Sequence, residues 1–208
     1  MNIIEARYEI LDELDGKAIL EKIERIARVC YKSEDNIKDG SAEAMVKNLI
    51  ARKHEAMLEH FGFSVLFTVD RGVSHELVRH RLASFAQEST RYCNYGKDGG
   101  VTFIKPLYLK EGGYDYCAWE RTCETCANIY TSMLQQGLTP QEARAVLPNS
   151  LKTEIVVTAN LREWRHILAL RAVGTTGKPH PQMAEVMRPL LDELKARIPI
   201  VFDDLSFN

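Results

Sequence analysis

The sequence predicts an α+β protein in which residues 1–208 form a single domain. The length of 208 residues lies close to the size of one domain, which is about 100–200 residues. The predicted strands and helices alternate without a regular βαβ repeat, which argues against a doubly wound parallel sheet. The hydrophobic fraction of 45% is enough for a buried core and too high for a disordered chain. No repeat, low-complexity tract or linker suggests a second domain.

The first part of the chain carries clear periodic patterns. The apolar and β-branched run Ile3–Ile10 predicts a strand. Apolar residues at three- and four-residue steps predict a helix over Gly16–Tyr31. Ser41 is expected to cap a second helix that ends near Arg52. Alternating apolar positions predict a strand over Phe61–Asp70.

The central part of the chain contains the most polar segment. Gly72 is expected to break the preceding strand before a short helix over Val73–Arg81. Ser84–Lys97 is predicted to be irregular, and Val101–Ile104 to be a short strand. The periodicity of Tyr114–Gln136 predicts a long helix.

The last part of the chain reads as helix, strand, helix and helix. A helix is predicted from Pro140, which suits a first helical turn, and is expected to end at Pro148. Glu154–Thr158 is a predicted strand and Leu161–Ala172 a predicted helix. After the loop Gly174–Pro179, a final helix is expected from Pro181, with a kink at Pro189.

The charge balance and the cysteines narrow the class of protein. The 27 basic and 29 acidic residues give a formal net charge of −2, which argues against a general nucleic-acid coat or a polybasic membrane anchor. No apolar run approaches the roughly 18 residues that span a bilayer. The N-terminal residues lack the pattern of a signal peptide. The five cysteines are therefore expected to be reduced thiols in the cytoplasm.

Several familiar sites are absent from the sequence. No Gly-x-Gly-x-x-Gly occurs, and Gly174–Lys178 lacks both the first glycine and the final Ser/Thr of a phosphate loop. His54 and His60 are six residues apart, whereas a helical zinc motif needs a spacing of four. Cys123 and Cys126 have no second ligand pair at matching distance, so no metal site is expected.

A cluster of basic residues is the strongest functional signal. Arg79-His80-Arg81 is followed after seven residues by Ser89, and then by Arg91 and Tyr92. The cluster is either a solvated surface patch or a site for a specific anion, since guanidinium groups match phosphate oxygens. Three consecutive residues cannot share one exposed face, which favours the anion site. Arg144 and the residues Arg162, His166 and Arg171 of a later helix add further candidates.

At these residues the chain resembles the flavin-dependent thymidylate synthases. The family motif Arg-His-Arg, seven residues and Ser, continuing to Arg-Tyr, is matched completely from Arg79 to Tyr92. Three further segments resemble the family in its order and close to its spacing. They are His54 with Glu59-His60, Ala143–Pro148, and Asn160–Arg162 continuing to Arg171-Ala172.

The resemblance implies a reaction, a set of ligands and an assembly. The reaction is the reductive methylation of dUMP to dTMP, with methylenetetrahydrofolate as carbon donor, FAD as hydride carrier and NADPH as reductant. No protein nucleophile attacks the uracil ring. Four chains form a homotetramer in which each active site takes residues from three subunits. The long helix Tyr114–Gln136 is a candidate for the subunit interface.

The resemblance also implies roles for individual residues. Arg171 is the expected catalytic residue, because it stabilises the uracil ring as an anion at N3 and so makes C5 nucleophilic. The expected FAD-binding residues are His54, Arg79, His80, Arg81, Gln87, Asn160, Arg162 and His166. The expected dUMP-binding residues are Glu76, Arg79, Gln87, Glu88, Ser89, Thr90, Arg91, Arg144 and Arg171.

The sequence departs from the family pattern at a few positions. Gln87 stands where many members have Glu, and Ala86 where many have Asn or Ser. Ala56 stands where relatives often have a hydroxyl that touches FAD. The loop Val173–Pro179 carries extra residues before His180, whose role is left open.

Two other classes of function compete with the enzyme. A nucleotide- or RNA-binding module would use the arginines with Phe85, Tyr92 and Tyr95 as stacking partners, and its affinity would fall steeply with salt. A structural protein with a degenerate site is favoured only by Gln87.

Overall fold

The computed structural model describes residues 1–97 and 99–207, so that Asp98 and Asn208 of the predicted 1–208 domain lie outside it. The strands are β1 (Asn2–Ile4), β2 (Arg7–Ile10), β3 (Gly62–Asp70), β4 (Ser84–Gln87), β5 (Thr102–Ile104) and β6 (Lys152–Asn160). The helices are α1 (Gly16–Val29), α2 (Ser41–Ala51), α3 (Arg71–Leu77), α4 (Tyr114–Gln135), α5 (Pro140–Ala143), α6 (Leu161–Leu168) and α7 (Pro181–Arg197). Short 3₁₀ turns cover Glu34–Asn36, Glu55–His60 and Arg144–Val146, and a π-helical turn covers Ala169–Val173.

The strands form two sheets. In the smaller sheet β1 runs parallel to β5, with Ile3 opposite Phe103. In the larger sheet the hydrogen-bonded order is β2-β3-β6-β4. Helices and sheets of this mixed kind confirm the predicted α+β class. Within the described ranges, every helix is too short or too polar to cross a membrane.

The chain divides into two compact units, each assembled from three segments. The segments of unit 1 are Met1–Tyr8, Leu66–His80 and Phe85–Val156. Those of unit 2 are Glu9–Val65, Arg81–Ser84 and Val157–Asn208.

Unit 1 has its own core around α4. One face of this helix contributes Cys123, Ala127 and Tyr130, which pack with Phe103 of β5 and Leu151. Burial raises the pKa of the Cys123 thiol to about 12, so this cysteine acts as a small apolar residue. This core fixes the position of α5 and of the loops that precede and follow α5.

Unit 2 is centred on the apolar face of α6. The indole of Trp164 stacks on Phe63 with ring centroids 5.1 Å apart and donates a hydrogen bond of 3.1 Å to the Phe63 carbonyl. The Asn160 side chain caps α6 by accepting from the Glu163 amide at 2.9 Å. In the same unit, the buried Glu24 of α1 accepts from Arg28 and from Ser41 of α2.

The long periodic elements were predicted well. The helices expected over Gly16–Tyr31 and Tyr114–Gln136 are α1 and α4, each confirmed within two residues. The strand expected over Phe61–Asp70 is β3. The strand expected over Glu154–Thr158 is the longer β6, and Val101–Ile104 contains β5.

Predictions at the ends of short elements were wrong in several places. The run Ile3–Ile10 forms two strands, because β1 pairs with β5 whereas β2 pairs with β3. Ser41 does not cap α2; Gly40 does so with a φ of 75°, and the Ser41 hydroxyl instead bonds Glu24 and the Lys38 backbone. Gly72 does not end the strand, because β3 ends at Asp70, which caps α3 by accepting from the Val73 amide at 2.9 Å. Gly72 lies inside that helix.

Three further predictions need correction. The segment predicted to be irregular contains β4, whose hydrogen bonds come from β6. The helix from Pro140 ends at Ala143 and continues as a 3₁₀ turn. The helix predicted to reach Ala172 is α-helical only to Leu168 and continues as a π-helical turn. The final helix expected from Pro181 is α7, which includes Pro189.

Candidate active site

The predicted nucleotide-binding segment of unit 1 is a tight turn that follows β4. The Ser89 carbonyl accepts from the amides of Tyr92 and Cys93 at 3.1 and 3.0 Å. The Ser89 hydroxyl accepts from the Arg91 amide at 3.3 Å. Thr90 is buried in this turn while Arg91 is exposed.

Two exposed arginines, Arg91 of this turn and Arg144 of the 3₁₀ turn after α5, are each held by a hydrogen bond to a polar side chain. Arg144 donates to the Thr90 hydroxyl at 3.1 Å, and Arg91 donates to the Gln141 amide oxygen at 3.1 Å. The Arg91 guanidinium also lies 5.3 Å from the centre of the Tyr92 ring. We call Thr90, Arg91, Gln141 and Arg144 the arginine clamp. Each guanidinium carries five N–H donors, so both keep donors for an anionic ligand.

Local sequence explains why Arg144 faces this turn. Thr139 and Glu142 form a capping box at the start of α5, in which the Thr139 amide donates to Glu142 at 2.8 Å. The buried Ala143 then packs into the unit 1 core. These two anchors set the direction of the next residue, Arg144.

Glu88 and Gln87 are tied into unit 1 by several hydrogen bonds. The Glu88 carboxylate accepts from Tyr95 at 2.7 Å, from Lys152 at 2.9 Å and from the Glu154 amide at 3.1 Å. Burial and the bond to Glu88 raise the pKa of the Tyr95 phenol well above its ordinary value, so it stays a donor. Gln87 donates to the hydroxyls of Ser74 and Thr153 at 2.9 and 3.2 Å.

The remaining predicted residues of unit 1 lie in and after α3. Glu76 is half-buried in the helix, Arg79 is exposed and His80 is buried. The Arg79 and His80 amides close the helix end by donating to the carbonyls of Glu76 and Leu77. Arg81, the last residue of the triplet, is exposed and belongs to unit 2.

Two of the predicted flavin-binding residues line a cavity of about 530 Å³ in unit 2. His54 and Arg162 both line it, together with residues of α1, α2 and the following 3₁₀ turn. Its lining combines further cations, Arg52 and Lys53, with apolar side chains, Ala27, Met45, Leu49 and Met57. Ala56 also lines it and offers no hydroxyl.

The chemistry of this lining fits FAD. A flavin needs apolar contact for its rings, and its pyrophosphate needs cations. The volume also lies within the range of about 300–1,000 Å³ typical of ligand pockets. A larger cavity of about 960 Å³ lies between α1 and the segment 37–43 of the same unit, and none of the predicted site residues lines it.

Carboxylates hold Arg162 in place at this cavity. Arg162 donates to Glu59 at 2.5 Å, and its Nε lies 4.0 Å from the Glu55 carboxylate. The bond to Glu59 raises the pKa of the Arg162 guanidinium above its ordinary value, so it is a permanent cation.

The other predicted residues of unit 2 lie along α6 and its continuation. Asn160 is half-buried at the N-cap, and His166 is exposed one helical turn after Arg162. Arg171 is half-buried in the π-helical turn. Arg188 of α7 donates to the Ala172 carbonyl at 3.3 Å, which ties this turn to α7.

Comparison with known proteins identifies the family. The family model described as thymidylate synthase complementing protein matches residues 11–200. The chain belongs to this family.

Two curated relatives of this chain are flavin-dependent thymidylate synthases. The flavin-dependent thymidylate synthase of Pyrococcus furiosus is 30% identical over 191 residues, which cover 87% of this chain and 76% of that protein. That of Corynebacterium aurimucosum is 32% identical over 204 residues, which cover 89% and 80%. The resemblance to flavin-dependent thymidylate synthases is thereby confirmed.

A solved structure shares the fold of this family member. A crystal structure of the UMP/dUMP methylase PolB from Streptomyces cacaoi, bound with 5-Br dUMP, superimposes with a TM-score of 0.80 at 24% identity. The match covers 98% of this chain and 96% of that one. The α+β fold is therefore one that solved proteins adopt.

Sequence reasoning missed some residues that hold the predicted site residues of this family member. Gln141 supports Arg91, and a lone glutamine at a helix start gives no sequence signal. Glu55 lies 4.0 Å from Arg162, and it follows His54 in the sequence without being one of the matched positions of that family segment. Lys152 and Tyr95 hold Glu88, and neither belongs to a motif of the family segments.

Proposed function

We propose that this chain is a flavin-dependent thymidylate synthase that methylates dUMP at C5. One hydrogen of C5 is replaced by a methyl group whose carbon comes from methylenetetrahydrofolate. NADPH supplies the reducing electrons, so the products are dTMP, tetrahydrofolate and NADP⁺. When bound, FAD supplies the hydride that passes from NADPH to the nucleotide.

The arginine clamp is the observation that carries this proposal. Its two exposed guanidiniums, Arg91 and Arg144, are fixed by hydrogen bonds to Thr90 and Gln141 within one unit. Two fixed, planar, permanently charged groups suit the dianionic phosphate of a nucleotide. We assign the dUMP phosphate to this clamp, and the sugar to the neighbouring residues Gln87, Glu88 and Ser89. Glu76 and Arg79 complete the proposed dUMP set in unit 1.

Arg171 is the proposed catalytic residue. A guanidinium at the uracil edge stabilises negative charge at N3, and the delocalised charge makes C5 nucleophilic. The mechanism asks no protein side chain to attack the ring. Ser89 fits that requirement, because its hydroxyl accepts a hydrogen bond from the Arg91 amide at 3.3 Å.

The unit 2 cavity is the proposed flavin site. His54 and Arg162 line it, and Asn160, His166 and Arg81 belong to the same unit. The other proposed flavin contacts are Arg79, His80 and Gln87. In our assignment Arg162 binds the pyrophosphate and His54 lies against the ring system. The five cysteines, all within the described ranges, are free thiols, which supports our placing the enzyme in the cytoplasm.

The visible absorption spectrum of the purified protein tests this proposal. We expect a flavin spectrum, or one that appears when FAD is added, and bleaching under NADPH that is faster with dUMP. Formation of dTMP from dUMP and methylenetetrahydrofolate should follow, and the same assay with UMP measures selectivity for the deoxyribose. A protein that takes up no FAD and oxidises no NADPH would refute the proposal.

A further inference from the structure

A chain of charged groups in unit 2 leads from the segment after α7 to the flavin cavity. It begins at Asp204, whose two carboxylate oxygens accept from the Arg165 guanidinium at 2.6 and 2.7 Å. Arg165 also donates to the Val201 carbonyl of the same segment. The Arg165 side chain is only 8% exposed, so this charge is largely removed from water.

The second partner of Arg165 is a carboxylate of the cavity wall. The Arg165 Nη2 lies 3.2 Å from the same Glu55 oxygen that accepts from its Nε at 3.3 Å. The other Glu55 oxygen lies 4.0 Å from Nε of Arg162. Glu55 and Arg162 both line the 530 Å³ cavity, whereas Arg165 and Asp204 do not. Glu55 therefore stands between the buried arginine and the cavity arginine.

The role of Asp204 follows from how the two carboxylates, Asp204 and Glu55, share the positive charge of Arg165. A buried guanidinium needs a carboxylate, because leaving it unpaired costs far more than the pair gains. The bidentate bond to Asp204 satisfies Arg165, and hydrogen bonds from Arg165 hold the pKa of Asp204 below its ordinary value. Glu55 can therefore divide its two oxygens between Arg165 and Arg162. Without the Asp204 charge, Glu55 would be drawn wholly to Arg165.

We propose that Asp204 is a positioning residue for the flavin site, which acts through Arg165 and Glu55 to hold the Arg162 guanidinium at the cavity. Asp204 itself is not among the residues that line the cavity. The inference rests on the proposed function, since it takes the cavity as the FAD site. It adds the segment after α7 to the groups that set FAD affinity.

A titration of FAD into the Asp204→Asn variant tests this inference. The substitution keeps the size of the side chain and removes its charge. We expect the dissociation constant of FAD to rise about tenfold, comparable to the loss of affinity when an outer partner that orients a metal-ligating side chain is removed. Asp204→Glu restores the charge and should return the constant to within about threefold of the original. Each titration is made well below the unfolding temperature of the variant.

Asp203→Asn is the matched control. Asp203 belongs to the same segment and accepts from the Ile200 amide at 3.0 Å, and it makes no bond to Arg165. It should therefore reproduce any loosening of the segment and leave FAD affinity unchanged. An equal loss in both variants would mean that the segment is merely structural, and would overturn the inference.

A double-mutant cycle with Arg162→Gln tests the route. If Asp204 acts through Arg162, adding Asp204→Asn to Arg162→Gln should weaken FAD binding no further. Additive losses would overturn the inference. Should Asp204→Asn fail to fold, the same cycle uses Glu55→Gln, in which Arg165 keeps Asp204, with the same expectation. If the unaltered protein binds no FAD, the proposed function falls and this inference with it; if it binds FAD and Asp204→Asn binds equally well, only the inference falls.

Discussion

At the scale of single residues, Arg171 lies where the backbone departs from regular helix. Residues Ala169–Val173 form a π-helical turn, and Gly174 closes it in the left-handed region at a φ of 86°. Single π-helical turns are rare and occur frequently at functional sites. The bond from Arg188 to the Ala172 carbonyl supports this turn. A conformation of this kind at the proposed catalytic arginine supports its role.

Replacing Arg171 should separate catalysis from flavin binding. In Arg171→Ala the charge that stabilises the uracil anion is gone, so we expect the rate of dTMP formation to fall by about 10²–10³-fold or more. FAD should bind as before, because Arg171 is not among the proposed flavin contacts. The two measurements are single-turnover dTMP formation and FAD titration. A variant that makes dTMP at nearly the original rate would show that the assigned role is wrong.

The sequence identified the charged residues of the candidate site. It did not identify the residues that hold those side chains in place. The arginines were found because charge at motif spacing is visible in the chain. Gln141 and Glu55 were not, since their function arises only when folding brings them to Arg91 and Arg162. The contacts of Gln87 with Ser74 and Thr153 show the same limit. The Gln87 amide group donates hydrogen bonds within unit 1, independently of any contact that the residue makes with a ligand.

At the scale of elements, Glu88 joins three pieces of unit 1. It follows β4, accepts from Lys152 and the Glu154 amide of β6, and accepts from Tyr95 of the following loop. Its side chain is 13% exposed, and that of Lys152 is 19% exposed. A largely buried carboxylate with three donors is expected to stabilise the fold more than a surface ion pair does.

Glu88→Gln should therefore lower the free energy of unfolding by about 1.5–3 kcal/mol, the range for hydrogen bonds to a charged group. Urea denaturation of the ligand-free protein measures the loss. Glu154→Gln is the matched control, because Glu154 also pairs with Lys152, at 3.2 Å, but is 44% exposed. It should cost at most about 1 kcal/mol. Equal losses would contradict the structural role, and a raised KM for dUMP without any loss of stability would assign Glu88 to the substrate alone.

The elements predicted correctly are those whose hydrophobic pattern is visible in their own residues. The helix α1 shows its apolar stripe in its own sequence, and so does the strand β3. The strand β4 does not, because the four residues Ser84–Gln87 become a strand only by pairing with β6. For the same reason Ile3–Ile10 looked continuous. Its division into β1 and β2 reflects two different partner strands, β5 and β3, that are distant in sequence.

At the scale of the whole molecule, the chain passes repeatedly between its two units. Each unit takes three separate segments, so neither is a continuous stretch that could be cut out of the sequence. This interleaving supports our proposal that residues 1–208 form one domain. It also explains why the sequence offered no linker, since domains in tandem are joined at one exposed boundary.

The homotetramer that the family resemblance implies should appear as a particle of about 95 kDa, four times the 23.7 kDa chain. Large apolar side chains lie exposed beside the basic motif: Leu82 is 82% exposed and Tyr92 is 73% exposed. Burial against further copies would remove such surface from water. Light scattering coupled to gel filtration measures the mass, with and without FAD.

Leu82→Asp tests whether this surface is an interface. A charge placed there would be buried without a partner in the assembly, so we expect a smaller particle and a loss of dTMP formation. Leu82 follows Arg81 directly, so both losses should occur together if the active site needs neighbouring copies. Leu82→Met keeps an apolar side chain of similar volume and should retain both mass and activity. A full-sized, fully active Leu82→Asp protein would exclude Leu82 from the interface, because a charge tolerated at that position must still face water.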